Sequence, residues 1–278
     1  MIPLWRLCRL YYAIPMAFIL LLTIWYAMGD AMGQLWPSAL SATISLALVI
    51  SGGYALNDVC DRCVDRINSP HRPIPAGQVS TVTAVIWACG MLAGGLALAA
   101  LCRWQFLAVL FLVTVVLVFY NLTSKKLGIG KQLLVALLMT SFYPLAFAQA
   151  GPQAVTDRVA SLYIFPVWLF LTSFGYEILK DIQDIRGDRI VSAGHSWVHS
   201  SPELAIRISR TSVIAGSLIL IGPAFAGCGW VYLSFVPLAI LLATCSTFLS
   251  QRQAMRAIYS QCVVVGVAAT ADIMILGH

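Results

Sequence analysis

Of 278 residues, 60% are apolar and 10% charged, with a mean hydropathy of +0.87, far from the roughly 45–50% apolar and 25% charged balance of soluble domains. Seventeen Lys and Arg against 11 Asp and Glu leave a net charge of +6. This balance excludes a water-soluble globular domain, and the scatter of basic residues over several loops excludes a nucleic-acid-binding face.

A membrane-spanning helix needs about 20 apolar residues. Nine stretches qualify, at approximately 10–28, 36–57, 81–101, 104–122, 132–150, 159–180, 205–226, 229–249 and 256–277. The expected fold is therefore all-α, a multi-pass bundle of nine transmembrane helices. The first stretch runs on into the second without a small-residue cleavage pattern after Met28, so it is read as a retained span, not a signal peptide.

The second stretch leads into NDVCDRCVDRINSPHRPIPAG, Asn57 to Gly77, which places Asp58, Asp61 and Asp65 within eight positions. The fourth is followed by Tyr120 and the Ser124-Lys125-Lys126 loop. The connection after the fifth, GPQAVTDR at 151–158, is short and ordinary, as is GDAMGQLWPS at 29–38. The sixth runs into FGYEILKDIQDIRGDR, Phe174 to Arg189, where Asp181, Asp184 and Asp188 repeat the spacing of the first acid set. AGHSWVHSS follows, with His195 and His199 four residues apart.

With the N-terminus inside, 15 of the 17 basic residues fall on the inner side, and only Arg103 and Arg158 lie outside. Positive residues collect on the cytoplasmic side, so the inner loops are read as cytoplasmic. Of the eight cysteines, Cys89, Cys228, Cys245 and Cys262 lie within or at the ends of spans, where Cys behaves as a small apolar residue. That usage implies no disulfide framework.

Offsets of 0, 3 and 7 put three side chains on one helix face. If the two helix ends meet, six like charges share one space and raise one another's pKa values, which calls for a cation. Oxygen-only sets suit a hard ion, and Mg²⁺ binds through a few carboxylates while sharing its other positions with water and phosphate. Two such sets would clamp a diphosphate. Arg66, Arg72, Lys125, Lys126, Lys180 and Arg189 stand by as phosphate donors. The Asn57 amide would either ligate the ion or orient a carboxylate. The plainer reading of each acid set is a solvated helix end with local salt bridges, which the matched second copy argues against. Cys60-x-x-Cys63 lacks the further ligands that a structural zinc requires, and the two His read as a metal pair or as loop polarity.

Asn57-Asp58-x-x-Asp61-x-x-x-Asp65 followed by Arg72-Pro73-Ile74-Pro75-Ala76-Gly77 resembles the first signature of the UbiA-type intramembrane prenyltransferases, and Phe174 to Arg189 is similar to their second. The resemblance covers most of the chain and implies a single domain over 1–278. Its helices would enclose a central cavity open to membrane lipid, with Mg²⁺ and an isoprenyl diphosphate under a cap of inner loops. Carried over, it assigns Asn57, Asp58, Asp61 and Asp65 to one metal-diphosphate site and Asp181, Asp184 and Asp188 to the other. Arg66, Arg72, Lys125, Lys126 and Lys180 would hold the diphosphate, and Tyr120 would lie near the reacting end of the prenyl chain. Tyr54, Phe119, Tyr143 and Phe174 are further aromatic candidates for shielding an allylic cation.

INSPHRPIPAG and KDIQDIRGDR look most like the branch containing digeranylgeranylglyceryl phosphate synthase. Three features depart from it. Tyr176 precedes Glu177 in place of Arg, Gln132 opens the fifth helix in place of Asn, and Ala193 to Trp197 replaces a basic residue and a Thr-Leu-Pro run. The expected activity is Mg²⁺-dependent transfer of a polyprenyl group from its diphosphate to a lipophilic acceptor, with release of pyrophosphate. The alternatives are a membrane terpene cyclase of the same fold, which uses no acceptor, and a transporter or lipid-binding bundle with acidic gates.

Overall fold

Most of the helices are apolar all round, as suits elements that meet neighbours on one side and lipid on the other. The computed structural model describes residues 2–153, 158–183 and 197–276, all helix, turn or loop. In chain order the helices are α1 (Ile2–Leu7), α2 (Leu10–Met28), α3 (Met32–Cys60), α4 (Arg62–Asn68), α5 (Thr81–Ala99), α6 (Trp104–Thr123), α7 (Gly130–Thr140), α8 (Phe142–Ala150), α9 (Ser161–Gln183), α10 (Trp197–Ser200), α11 (Pro202–Ile219), α12 (Trp230–Ser246) and α13 (Gln251–Leu276).

Eight segments among the described residues are long and apolar enough to cross a bilayer. The eighth of the nine expected spans is α12, a shorter apolar helix of 17 residues, about 26 Å long at 1.5 Å per residue and at the lower end of what crosses a bilayer. The fifth span is two helices, α7 and α8, meeting at Ser141.

Small residues set the closest helix contacts, as expected where lipid offers no hydrophobic contrast. A Cβ at Gly95 would sit 2.9 Å from the Ser45 carbonyl oxygen, so α5 lies directly on α3. A Cβ at Gly175 would sit 2.8 Å from the Ser209 carbonyl oxygen, and the Ser209 hydroxyl donates to the Gly175 carbonyl at 2.7 Å, which joins α9 to α11.

The largest apolar core takes in the outer halves of the long helices, including Leu20, Ile24, Leu46, Phe106, Leu145, Phe165, Tyr232 and Ile273. Toward the inner side the core divides. One wall packs α1, α3 and α5 around Leu7, Ala55 and Val59. The other packs α7, α9, α11, α12 and α13 around Ile178, Val213 and Ile258. The bundle is therefore closed at its outer half and two-walled at its inner half, with Asp58 on one wall and Asp181 on the other.

The outer connections are less plain than their sequence. Arg158 forms a buried ion pair with Asp272 of α13. Asp272 also accepts the backbone N–H groups of Gly229 and Tyr232, both at 2.8 Å, capping α12. Nearby, the Tyr26 hydroxyl lies 2.7 Å from the Ser161 hydroxyl and 3.0 Å from Cys228 Sγ.

Candidate functional site

The loop from Arg72 to Val79 folds as a tight turn. Pro73 and Pro75 restrict it, Gly77 takes φ +70°, and Ala76 and Gly77 donate to the carbonyls of Arg72 and Ile74 at 2.9 and 3.0 Å. A positive φ of this kind is cheap only for glycine. From α1, Arg6 fastens the loop with bonds to the His71 carbonyl at 3.2 Å and to Gln78 at 3.3 Å. The turn aims the Arg72 guanidinium back at the helix end that precedes it.

There it meets both oxygens of Asp65 at 2.6 Å and Asp58 at 3.5 Å. Asp58 and Asp65 thus share a face, as their spacing predicts. Asp61 does not complete a single straight face, because the helix ends at Cys60 and resumes at Arg62 with Asp61 at φ −92°, ψ 4° between them. The backbone bonds Asp61 to Asn57 and Asp65 to Asp61 persist through this kink at 2.8 Å. The Asn57 amide donates to Asp61 at 3.0 Å, so among its described contacts the amide orients a carboxylate.

Asp58 is also paired with Arg9, whose guanidinium lies 5.0 Å above the Tyr54 ring. Arg9 opens α2 at φ 45°, a strained backbone for a residue with a side chain. Burial raises the Asp65 carboxyl above its ordinary range; the Arg72 contact opposes the shift, and Asp58 and Asp61 reinforce it. Burial disfavours charge on Arg72 too, but the three aspartates outweigh it and hold the guanidinium above its usual value.

On the facing wall Asp181, 3% exposed, accepts from Lys131 Nζ at 2.5 Å and from the Gln132 amide at 2.6 Å. The Trp197 indole N–H lies 3.4 Å from the Gln132 side-chain oxygen. Lys180 pairs with Glu177 at 3.1 Å. Asp184, Asp188, Arg189 and His195 lie outside the described residues, as do Ala193, Gly194, Ser196 and the side chains of Lys125 and His199.

The two walls are electrostatically coupled. Tyr54 on α3 is within reach of Lys180 and Glu177 on α9, and Tyr176 on α9 is within reach of Tyr12 and Tyr54. Tyr120 on α6 is within reach of Lys180, Glu177, Lys131 and Asp181.

Other candidates are not brought to the site. Tyr143 is buried in the outer core near Tyr26, Tyr232 and Cys262. Phe174 packs into the inner wall with Ile178 and Val213. Phe119 is half exposed, on a neighbouring face to Tyr120. Arg66 and Lys126 are exposed and are absent from the carboxylate contacts described above. Cys63 is an exposed thiol.

Sequence reasoning counted Arg9 and Lys131 only as inner-side charge and Gln132 only as a departure. Their signal was present: each basic residue opens a helix beside an acid set. Among the described residues no three acid, His or Cys side chains converge on one point. The donors available are carboxylate and amide oxygens in small groups, which fits an ion such as Mg²⁺ that binds through one or two carboxylates and completes its shell with water and phosphate. They fit a self-sufficient protein cage poorly.

The model of the UbiA prenyltransferase family matches residues 13–262. Among curated relatives, digeranylgeranylglyceryl phosphate synthase of Methanoculleus marisnigri is 35% identical over 57% of this chain and 55% of its own length. The chain thus spans about half of that relative. The synthases of Metallosphaera sedula and Methanopyrus kandleri are 33% and 32% identical, over 73% and 74% of this chain and 71% and 77% of theirs. The fold is also that of a UbiA homolog from Archaeoglobus fulgidus bound to GPP and Mg²⁺, with a TM-score of 0.69 and 16% identity over 97% of this chain and 99% of that one. An apo UbiA homolog from Aeropyrum pernix K1 gives a TM-score of 0.71 and 21% identity over 96% and 97%.

Proposed function

The chain belongs to the UbiA prenyltransferase family, and from that premise we propose that it transfers a polyprenyl group from an isoprenyl diphosphate to a lipophilic acceptor inside the bilayer, releasing pyrophosphate. The reading rests on one observation above all. Arg72 gathers Asp58 and Asp65 on one wall, and Lys180, beside Asp181 on α9, acts electrostatically on Tyr54 of that wall. This supports a reading in which the acid sets border a common space.

Asn57, Asp58, Asp61 and Asp65 would hold Mg²⁺ on one side, and Asp181, with Asp184 and Asp188, on the other. Bound there, Mg²⁺ neutralises charge on the departing pyrophosphate. Arg72 and Arg9 are positioned to exchange carboxylate contacts for phosphate contacts, as Lys131 and Lys180 are opposite them. Tyr12, Tyr54, Tyr120 and Tyr176 supply aromatic faces beside the acid ends, suited to an allylic carbon that gains positive charge as its C–O bond lengthens. The closed outer core keeps water from that carbon. A carboxylate left without its guanidinium partner, or the pyrophosphate itself, can accept the proton that the acceptor loses. The inner loops, and with them the site, face the cytoplasm in this reading, because 15 of 17 basic residues lie on that side.

The test is pyrophosphate release by the purified protein across a panel of prenyl diphosphates, with and without Mg²⁺ and with and without a membrane lipid extract, followed by mass spectrometry of the products. Release that requires both Mg²⁺ and the extract, yielding a prenylated lipid, supports transfer. Hydrocarbon or terpene alcohol without extract would make the protein a cyclase instead, and no release under any condition would remove the enzyme reading altogether.

A further inference from the structure

The inner end of α12 borders an open face of α11. The turn that follows α12, with Thr247 and the 85% exposed Phe248, lies beside Arg210 to Leu218 of α11 and bounds an open groove of about 460 Å³. The α11 side is the stripe Arg210, Thr211, Ile214, Ala215 and Leu218, residues that share one helix face. The groove is polar at its inner end, where Arg210 and Thr211 lie, and apolar toward the bilayer centre.

Charge at the inner end is one-sided. Arg207, Arg210, Arg252 and Arg256 are all exposed, and Gln251 and Ala254 of α13 line a smaller hollow together with Arg210. The segment from Trp230 to Arg256 contains no acidic residue, and α11 contributes only Glu203, two turns before Arg210. Arg210 thus opens the groove within a sequence region rich in exposed arginine and, over α11 to Arg256, holding only Glu203 as an acid, and an apolar trough leads away from it.

We propose that this groove binds an anionic phospholipid, with its phosphate on Arg210 and Thr211 and an acyl chain along Ile214, Ala215 and Leu218 against Phe248. Basic pockets between transmembrane helices on the cytoplasmic side recognise anionic head groups, and arginine is the residue whose planar donors suit phosphate. A zwitterionic lipid would place its own ammonium against the cluster and gain less. The site lies on a different face of α11 from the Ser209 and Val213 contacts with α9 and holds a structural or modulating lipid whatever reaction the bundle performs.

The full chain, purified in a mild detergent, is mixed with phosphatidylglycerol carrying a diazirine in its acyl chain, irradiated and digested. Labelled peptides should cover 211–218 and 247–248, and unlabelled phosphatidylglycerol should displace the probe at concentrations at which phosphatidylcholine does not. Arg210→Gln should lower the labelling affinity about five- to tenfold, and Ala215→Trp, which fills the trough without touching charge, should remove the label. Labelling elsewhere, equal competition by phosphatidylcholine, or unchanged labelling in both variants overturns the proposal. If either variant fails to fold, the wild-type label map and competition decide alone. None of these readouts needs turnover, so failure of the proposed prenyl transfer leaves the result interpretable.

Discussion

Asp181 is held from two sides, by the Lys131 ammonium at 2.5 Å and the Gln132 amide at 2.6 Å, so its orientation depends on a residue that stands out in the sequence only as a departure. Groups that orient a metal-ligating side chain typically contribute 10- to 100-fold to affinity or activity. Gln132→Leu should therefore lower pyrophosphate release by about that factor, while Gln132→Asn, which keeps an amide, should retain more. Direct loss of a carboxylate should cost more. Asp61→Ala, Asp181→Asn and Asp184→Ala are each expected to reduce release by at least about 100-fold with the protein still inserted, measured by steady-state pyrophosphate assay on matched amounts of folded protein. Wild-type turnover in any of the three would strike that carboxylate from the mechanism.

The helices were legible wherever apolar length alone decides them, because a bilayer sets a minimum span that composition can reveal. α12 was placed, but its end was not, since nothing in WVYLSFVPLAILLATCS announces that the chain turns at Thr247 instead of continuing through Leu249. The shared face of Asp58 and Asp65 was legible from spacing, and the kink at Asp61 was not. The partners Arg9, Lys131 and Gln132 come from helices remote in sequence, and only packing brings them to the acids. Packing in turn depends on small residues whose role is equally silent in sequence. A Cβ at Gly175 meets the Ser209 carbonyl at 2.8 Å and Val213 at 2.7 Å, whereas one at Gly94 meets nothing within 4 Å. Gly175→Ala should push α9 off α11 and cost roughly 1–3 kcal/mol, while Gly94→Ala should be neutral or slightly stabilising through helix propensity. Thermal inactivation of the two variants in detergent separates these outcomes, and equal midpoints would mean that the α9–α11 contact yields without cost.

At the scale of the whole molecule, a bundle that opens into two walls on its inner side needs a firm closure on the other, and the outer polar knot supplies it. Arg158, at the entrance to α9, meets Asp272 near the end of α13, and both are buried, at 6% and 0% exposed. Asp272 does two jobs at once: it neutralises the guanidinium and caps α12 through Gly229 and Tyr232. The two can be separated by substitution. Asp272→Asn keeps an oxygen for the cap but withdraws the carboxylate that pairs with the buried Arg158 guanidinium, a loss of about 3–5 kcal/mol for pairs of this kind. Arg158→Met alone strands the carboxylate, although its two backbone donors still support it, so the loss should be smaller. The double variant Arg158→Met with Asp272→Asn removes both charges and keeps the cap, and it should recover most of the stability lost in Asp272→Asn. Thermal unfolding followed by loss of monodisperse protein in detergent would order the midpoints as wild type, double variant, Asp272→Asn. A double variant as unstable as Asp272→Asn would mean that the charge pair itself, beyond the avoidance of a lone charge, holds the outer ends of α9, α12 and α13 together.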